Sequence, residues 1–157
     1  ARKIAEKGTC LSRKMGAVLV RKSGKTYTVI GEGWNGPPSG CHFCDEVCIW
    51  PQEKRSTRWD LSGCPAVHAE EASVLNAARI GYPTSKTILY TTSGVPCSKC
   101  LKLLIEAGVK SVVCLPETEG IGLYYDELSK RFVEEELIDI FILREETNVE
   151  LIKVEKS

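Results

Sequence analysis

Two short stretches, Val67-His68-Ala69-Glu70 and Pro96-Cys97-Ser98-Lys99-Cys100, decide the fold of this 157-residue chain. Imidazole nitrogen and thiolate sulfur are preferred zinc ligands, and three of them leave the fourth tetrahedral position open for water. We therefore expect His68, Cys97 and Cys100 to bind a catalytic zinc. Glu70 lies two residues past the histidine, close enough to act on that water rather than on the metal.

Each stretch begins a predicted helix, at residues 67–79 and 97–107, and each helix is followed by a glycine that favours a helix end. The intervening and following segments predict strands at 87–92, 111–115 and 138–143, a helix at 122–137, and a last strand or extended tail at 148–154. This alternation predicts an α/β sandwich in which helices cover a mixed sheet. Sites in such folds collect at the carboxyl ends of strands, where both stretches begin their helices.

The segment upstream of these helices predicts a β-hairpin followed by a loop. Residues 15–20 and 26–32 are strand-like and flank a Lys22-Ser-Gly-Lys25 turn. Residues 33–40, Gly-Trp-Asn-Gly-Pro-Pro-Ser-Gly, are too rich in glycine and proline to continue a strand, so a shaped binding loop is expected. Residues 1–9 resemble the end of a helix.

His68, Glu70 and the Pro-Cys-x-x-Cys pair together form the composite pattern of zinc-dependent nucleobase deaminases. Zinc lowers the pKa of water from about 16 toward 7, which supplies hydroxide for attack on a ring carbon. Glu70 is then the general acid/base that moves protons to the ring and to the departing amine. Taken alone, the cysteine pair also fits a redox pair or half of a structural zinc site. Glu71 is expected on a different helix face, in solvent.

Composition indicates a single globular domain, residues 1–157, that does not bind long nucleic acid. The 43% hydrophobic and 27% charged residues are ordinary for a globular chain, and 21 basic residues balance 21 acidic ones. A polynucleotide groove usually carries a basic stripe, which this neutral chain lacks. No apolar run approaches the roughly 20 residues of a membrane helix, and no secretory segment is seen at the start, so a cytoplasmic protein without membrane partners is expected.

Eight cysteines are many for this length: Cys10, Cys41, Cys44, Cys48, Cys64, Cys97, Cys100 and Cys114. A disulfide framework is the alternative to metal binding, but Cys-x-x-Cys and Cys-x₃-Cys spacings without a signal peptide favour metal. Residues 41–64 show no periodicity, and a stretch this long without regular structure is unusual unless metal ligation holds it. This segment is predicted to be a cysteine-rich insert.

The loop at 33–40 resembles the corresponding Gly-Tyr-Asn-Gly-Pro-Pro-Ser-Gly loop of deoxycytidylate (dCMP) deaminases. Residues 9–18, Val67-His-Ala-Glu70, 89–92, Pro96-Cys-Ser-Lys-Cys100 and 107–113 continue the resemblance, which covers most of residues 1–130. The resemblance implies a three-layer α/β/α cytidine deaminase-like sandwich with a mixed five-stranded sheet. It also implies hydrolysis of dCMP to dUMP and ammonia in pyrimidine nucleotide metabolism.

Further expectations follow from the resemblance alone. It implies a homo-oligomer, often a hexamer, with dCTP and dTTP as effectors and magnesium accompanying a nucleotide effector. Asn35 is the candidate contact to sugar and phosphate, with a simple turn role as the alternative. Arg13 could meet the phosphate or lie on the surface, and Tyr124 or Tyr125 could close over the nucleotide or pack in the core. The chain departs from the family pattern at Glu71-Ala72, where Gln-Asn is common, and at Trp34, where Tyr is usual.

A second, structural zinc is also implied, since many family members carry one before the His-Ala-Glu helix. Cys44, Cys48 and Cys64 resemble its ligands, while Phe43 replaces a common histidine. Cys41 has Cys-x-x-Cys spacing with Cys44, which gives a proposed four-thiolate site of Cys41, Cys44, Cys48 and Cys64. His42 or Cys10 could replace one of these ligands.

Two other functions share the central motif. A tRNA or other nucleobase deaminase would need a basic strand-binding face, which this neutral chain does not suggest. A zinc-stabilised binding module without catalysis would not need Glu70.

Overall fold

One mixed sheet organises the computed structural model, which describes residues 1–42, 44, 46–49, 64–116, 126–144 and 150–154. Its six strands are β1 (Gly16–Ser23), β2 (Thr26–Trp34), β3 (Thr87–Thr91), β4 (Ser111–Cys114), β5 (Asp139–Arg144) and β6 (Glu150–Lys153), in the order β2-β1-β3-β4-β5-β6. The β3–β4 and β4–β5 pairs are parallel and the others antiparallel. The mixed sheet is confirmed. It has one strand more than the expected five, because the segment predicted as a last strand or an extended tail forms β6, which pairs with β5.

Helices cover both faces of this sheet. They are α1 (Arg2–Ala5), α2 (Ala69–Arg79), α3 (Ser98–Glu106) and α4 (Glu127–Glu134) within the described residues. A Cβ added to Gly16 would meet the backbone of α1, and one added to Gly31 would meet the backbone of α2. Gly31 pairs with Leu19, so the two residues share one face of the sheet. Leu19 lies three residues past Gly16 on β1 and therefore faces away from the side of Gly16, so α1 and α2 lie on opposite faces. The three-layer α/β/α arrangement is confirmed.

A row of apolar side chains runs across the centre of the sheet on the α2 face. Leu19, Leu89, Val112 and Ile140 are neighbours in register on β1, β3, β4 and β5, and each is 0% exposed. Burying a side chain of this size contributes about 1.5–3 kcal/mol. The buried face of α3, with Leu101 and Leu104, belongs to the same core, which fixes how the first turn of α3 is presented.

The strand β2 continues further than the sequence predicted. Gly33 and Trp34 were expected to lie in a loop, but they pair with Ala17 and Gly16 at the end of the hairpin. Close packing against α2 requires glycine at position 33, because a Cβ there would overlap Ala69 O and Ser73 N. The start of α2 therefore lies directly on the strand backbone.

The last helix is shorter than the predicted 122–137. Residues 122–125 lie outside the described residues, and α4 begins after Asp126, which is extended (φ −151°, ψ 166°) and accepts a hydrogen bond from Ser129 N–H. It ends at Glu134, and Glu136 adopts the left-handed region (φ 58°). The other predicted helices and strands are confirmed, with their ends shifted by a few residues. None of the described helices is both long and apolar enough to cross a membrane.

Candidate metal centre

The two motif stretches meet at the starts of α2 and α3. His68 immediately precedes α2 in an extended conformation, Cys97 precedes α3 in the same way, and Cys100 lies in the first turn of α3. His68 Nδ1 is 3.3 Å from Cys100 Sγ and 3.6 Å from Cys97 Sγ. The three ligand atoms lie within 4.8 Å of one another, and the described part of the chain holds no other such group of three His, Cys, Asp or Glu ligands.

Burial and mutual hydrogen bonding prepare these side chains to bind a cation. The Cys97 and Cys100 residues are 8% and 1% exposed. The hydrogen bond with Cys100 and the interaction with His68 together lower the pKa of Cys97 to about 5, against the effect of burial. The same sulfur–sulfur hydrogen bond, together with burial, raises the pKa of Cys100 well above its usual value. The hydrogen bond to Cys97 raises the pKa of His68.

This set of donors fits zinc. One imidazole nitrogen and two sulfurs converge from two helix starts, and nitrogen and thiolate sulfur are the ligands that zinc prefers. Metal binding displaces the remaining thiol proton, so the shared proton of the two cysteines is no obstacle. The carboxylate of Glu70 is not among the three ligands, which leaves room for a further ligand such as water.

Glu70 lies beside the ligands and is held by two hydroxyl groups. The residue is 5% exposed, and its Oε1 accepts hydrogen bonds from Ser93 Oγ (2.5 Å) and Thr91 Oγ1 (3.0 Å). Its Oε2 lies 4.0 Å from Cys100 Sγ. The hydroxyls therefore fix one oxygen and leave the other directed at the ligand group. Thr91 and Ser93 were not predicted as site residues, although polar residues at the carboxyl end of a buried strand were the available signal.

Glu71 does not lie in solvent as expected. It is 7% exposed, its Oε2 accepts a hydrogen bond from His68 N–H (3.0 Å), and its Oε1 pairs with Lys99 Nζ (3.1 Å). A glutamate three residues after the residue preceding a helix commonly bonds back to that residue's N–H. The spacing of His68 and Glu71 was the signal that the sequence analysis did not use.

Asp126 connects α4 to the first turn of α3, which carries Cys100. Its Oδ2 accepts a hydrogen bond from Ser98 N–H (3.0 Å), and its Oδ1 accepts one from Ser129 N–H (2.7 Å). A single carboxylate thus satisfies free N–H groups at the starts of two helices. Because Ser98 lies between the two cysteines, Asp126 also helps to fix their position.

The side chain of Asn35 binds backbone groups of the segment that precedes β1. Its Oδ1 accepts from Met15 N–H (2.7 Å), and its Nδ2 donates to Arg13 O (2.7 Å). A cavity of about 570 Å³ lies next to this segment, lined by residues 8–14, Pro37 and Cys44. Its described lining includes Arg13 but none of His68, Glu70, Cys97 and Cys100. Tyr124 and Tyr125 lie outside the described residues.

The cysteines predicted to hold a second zinc are all half-buried and unbridged: Cys41, Cys44, Cys48 and Cys64. Among the described residues they do not form a second group within 4.8 Å. Burial raises the pKa of Cys64, and the nearby thiol groups of Cys10, Cys44 and Cys48 raise it further. Cys10, one of the two possible replacements in the predicted ligand set, is among these nearby thiols.

Known proteins resemble the chain in sequence and in fold. Residues 1–116 match the family model of the cytidine and deoxycytidylate deaminase zinc-binding region. Deoxycytidylate deaminase of Schizosaccharomyces pombe is 35% identical over 112 residues, which cover 69% of this chain and 32% of that protein. ComE operon protein 2 of Bacillus subtilis is 31% identical over 110 residues, which cover 69% of this chain and 51% of that protein. The aligned part of the chain thus spans about a third to a half of these relatives.

A solved structure also shares the fold. The apo crystal structure of dCMP deaminase from the cyanophage S-TIM5 aligns with a TM-score of 0.63 at 26% sequence identity. The alignment covers 91% of this chain and 90% of that one.

Proposed function

Because the chain belongs to the cytidine and deoxycytidylate deaminase family, we propose that it hydrolyses dCMP to dUMP and ammonia in a zinc-dependent reaction. The observation that carries the proposal is the placement of Glu70 against His68, Cys97 and Cys100. Glu70 Oε2 lies 4.0 Å from Cys100 Sγ, where a carboxylate can exchange protons with a water bound at the site. The substrate is proposed from the relatives, whose names include deoxycytidylate deaminase.

His68, Cys97 and Cys100 would hold the zinc, as their donor atoms and spacing fit it. Zinc bound there supplies Lewis acidity that makes water a nucleophile at neutral pH. Burial of both thiols excludes solvent from the ligand sulfurs. A water-poor environment strengthens electrostatic interactions with the reacting groups.

Glu70 moves the protons that the reaction requires. As water adds to C4 of the cytosine ring, Glu70 accepts a proton from it and delivers a proton to the ring nitrogen N3. It then passes the remaining water proton to the amino group, which leaves as ammonia, and the oxygen of the water becomes the 4-oxo group of dUMP. The hydrogen bonds from Thr91 and Ser93 hold Oε1, so Oε2 performs both transfers without rotation of the carboxylate.

We propose Asn35, Arg13 and Tyr124 as the substrate-binding residues. Oδ1 and Nδ2 of Asn35 each make one hydrogen bond to the backbone. One lone pair of Oδ1 and one proton of Nδ2 therefore remain for a sugar or phosphate. Arg13 and Lys14 line the adjacent cavity, whose positive charge suits a 5′-phosphate. Tyr124 keeps its proposed role as a cover for the nucleotide.

A second, structural zinc is part of the proposal. The predicted set is Cys41, Cys44, Cys48 and Cys64, with Cys10 or His42 as alternatives, and Cys10, Cys44 and Cys48 are near enough to Cys64 to affect its pKa. Metal analysis of the full chain tests this directly. Two zinc ions per chain, falling to one in a Cys64→Ser variant, would support the second site, and one zinc ion in the unmodified chain would contradict it.

We further propose a single deaminase domain with a cysteine-rich insert at 41–64, in a cytoplasmic homo-oligomer. The hexamer, the dCTP and dTTP effectors and the magnesium that accompanies them are carried over from the resemblance. The thiol ligands support a reducing compartment, because zinc-binding thiolates are lost on oxidation. Light scattering with and without each nucleotide measures the oligomeric state and its response.

A substrate panel tests the proposed function. Absorbance and ammonia release are followed with dCMP, deoxycytidine, dCTP and a single-stranded oligonucleotide. The proposal predicts turnover of dCMP with one ammonia per dUMP, and weaker turnover of the others. Preferred turnover of the oligonucleotide would indicate a nucleic-acid deaminase, and no turnover by the zinc-loaded chain would indicate a binding module.

A further inference from the structure

We propose that Glu71 and Lys99 form a brace that fixes His68 relative to Cys97 and Cys100 and so sets how tightly the chain holds zinc. The inference rests on the proposed function only in taking these three residues as zinc ligands. It assigns a positioning role to two residues that lie outside the ligand set and outside the proton-transfer path.

The brace connects two segments that are far apart in the sequence. Glu71 Oε2 accepts the backbone N–H of His68, which is one of the free donors at the start of α2. Its other oxygen, Oε1, pairs with Lys99, which lies between the two cysteine ligands in the first turn of α3. One carboxylate therefore contacts a residue of each ligand-bearing segment.

Burial explains why this carboxylate needs both partners. Glu71 is 7% exposed, and a buried charge is costly unless it is paired and hydrogen-bonded. The Lys99 side chain is 69% exposed, so solvent screens the pair and its contribution to global stability is small. The brace is therefore expected to affect the distances from His68 to Cys97 and Cys100 more than the stability of the fold.

The local charges favour this position for Lys99. Two thiols and two carboxylates, those of Glu70 and Glu71, are gathered at the starts of the two helices. Lys99 is a cation beside them, with its Nζ 3.1 Å from Glu71 Oε1. The ammonium group thus offsets part of the negative charge gathered at the two helix starts.

The experiment measures zinc release from the full chain to a chromogenic chelator and the absorption spectrum of the Co²⁺-substituted protein. Lys99→Met removes the ion pair and leaves the Glu71–His68 bond, whereas Glu71→Gln keeps an acceptor for His68 N–H and removes the charge. Changes beside metal ligands commonly cost tenfold to a hundredfold in affinity, so each variant should release zinc about tenfold faster. The double variant should be no faster than the faster single one, because both changes remove the same pair.

Two controls separate positioning from general loss of structure. Lys99→Arg keeps the pair and should retain the slow release of the unmodified chain. Lys102→Met, at an exposed lysine one turn further along α3, should release zinc at the unmodified rate. The Co²⁺–thiolate bands should shift in Lys99→Met and Glu71→Gln but not in either control.

Unchanged zinc release and unchanged Co²⁺ spectra in both Lys99→Met and Glu71→Gln would overturn the inference and leave the proposed function intact. Acceleration by Lys102→Met as large as that by Lys99→Met would overturn it as well, since the effect would then belong to helix charge in general. An unmodified chain that takes up neither Zn²⁺ nor Co²⁺ at His68, Cys97 and Cys100 would overturn the proposed function itself.

Discussion

Replacement of Gly33 by alanine tests how the sheet positions the metal-binding helix. The added Cβ would overlap Ala69 O and Ser73 N, which are backbone atoms of α2 and cannot move aside by side-chain rotation. Relief requires α2 to shift away from β2, and this overpacking costs about 1–3 kcal/mol. The displaced turn carries Glu70, and His68 precedes it directly.

The expected result is a loss of both stability and activity. A loss of 1 kcal/mol lowers Tm by about 2–4 °C in a chain of this size, so Tm should fall by several degrees. Displacement of a reacting group by about 1 Å can cost about a hundredfold in rate, so kcat/KM for dCMP should fall by about that factor. Thermal denaturation and absorbance at steady state measure the two effects on the same preparation.

Gly81→Ala is the matched control. Gly81 lies just past the other end of α2 with φ 80°, and a Cβ there would meet nothing within 4 Å. Alanine in this left-handed conformation costs about 1–2 kcal/mol without displacing the first turn. This variant should lose a similar amount of stability and keep its kcat/KM. Full activity in Gly33→Ala, or an equal loss of activity in Gly81→Ala, would refute the reasoning.

Four further predictions address the site. Glu70→Gln should retain zinc by metal analysis and lose about 10²–10⁴-fold in kcat; substantial remaining turnover would exclude it as the general acid/base. Asp126→Ala removes the cap of two helices and should lower the free energy of unfolding, measured with denaturant, by about 1–2 kcal/mol. Zinc release should be faster because Ser98 N–H loses its acceptor. An unchanged free energy of unfolding would contradict the double cap. Arg13→Gln should raise KM for dCMP at least tenfold and leave KM for deoxycytidine unchanged, whereas equal effects on both substrates would argue against a phosphate contact. Chelation of zinc should abolish deamination, and added Zn²⁺ should restore it; activity that survives complete removal of the metal would rule out the zinc mechanism.

The convergence of His68, Cys97 and Cys100 was predictable because local sequence determines where these residues lie. His68 and Cys97 each precede a helix that follows an extended segment, and residues at such positions converge at one edge of an α/β sheet. The combined pattern of His68, Glu70 and the Pro-Cys-x-x-Cys pair indicates deamination more specifically than any one of these residues does. Burial of α3 through Leu101 and Leu104 follows from its apolar periodicity.

The surroundings of the ligands were less predictable because they depend on contacts between distant segments. The glycine-rich composition of residues 33–40 favoured a loop, yet pairing with β1 extends the strand through Trp34. Glu71 was expected in solvent, because the periodicity of α2 does not reveal that Lys99 of α3 forms an ion pair with it. Asp126 accepts a hydrogen bond from Ser98, 28 residues away in the sequence, and so connects the starts of α3 and α4, which no local pattern indicates.

Incubation of the zinc-loaded chain with dCMP, with dUMP and ammonia both quantified, tests the central claim most directly. Equal amounts of dUMP and ammonia are expected from the unmodified chain, and both should form about 10²–10⁴-fold more slowly with Glu70→Gln carrying the same amount of zinc at His68, Cys97 and Cys100. Zinc-loaded, folded protein that forms no dUMP, or a Glu70→Gln variant that forms it at the unmodified rate, would contradict the account.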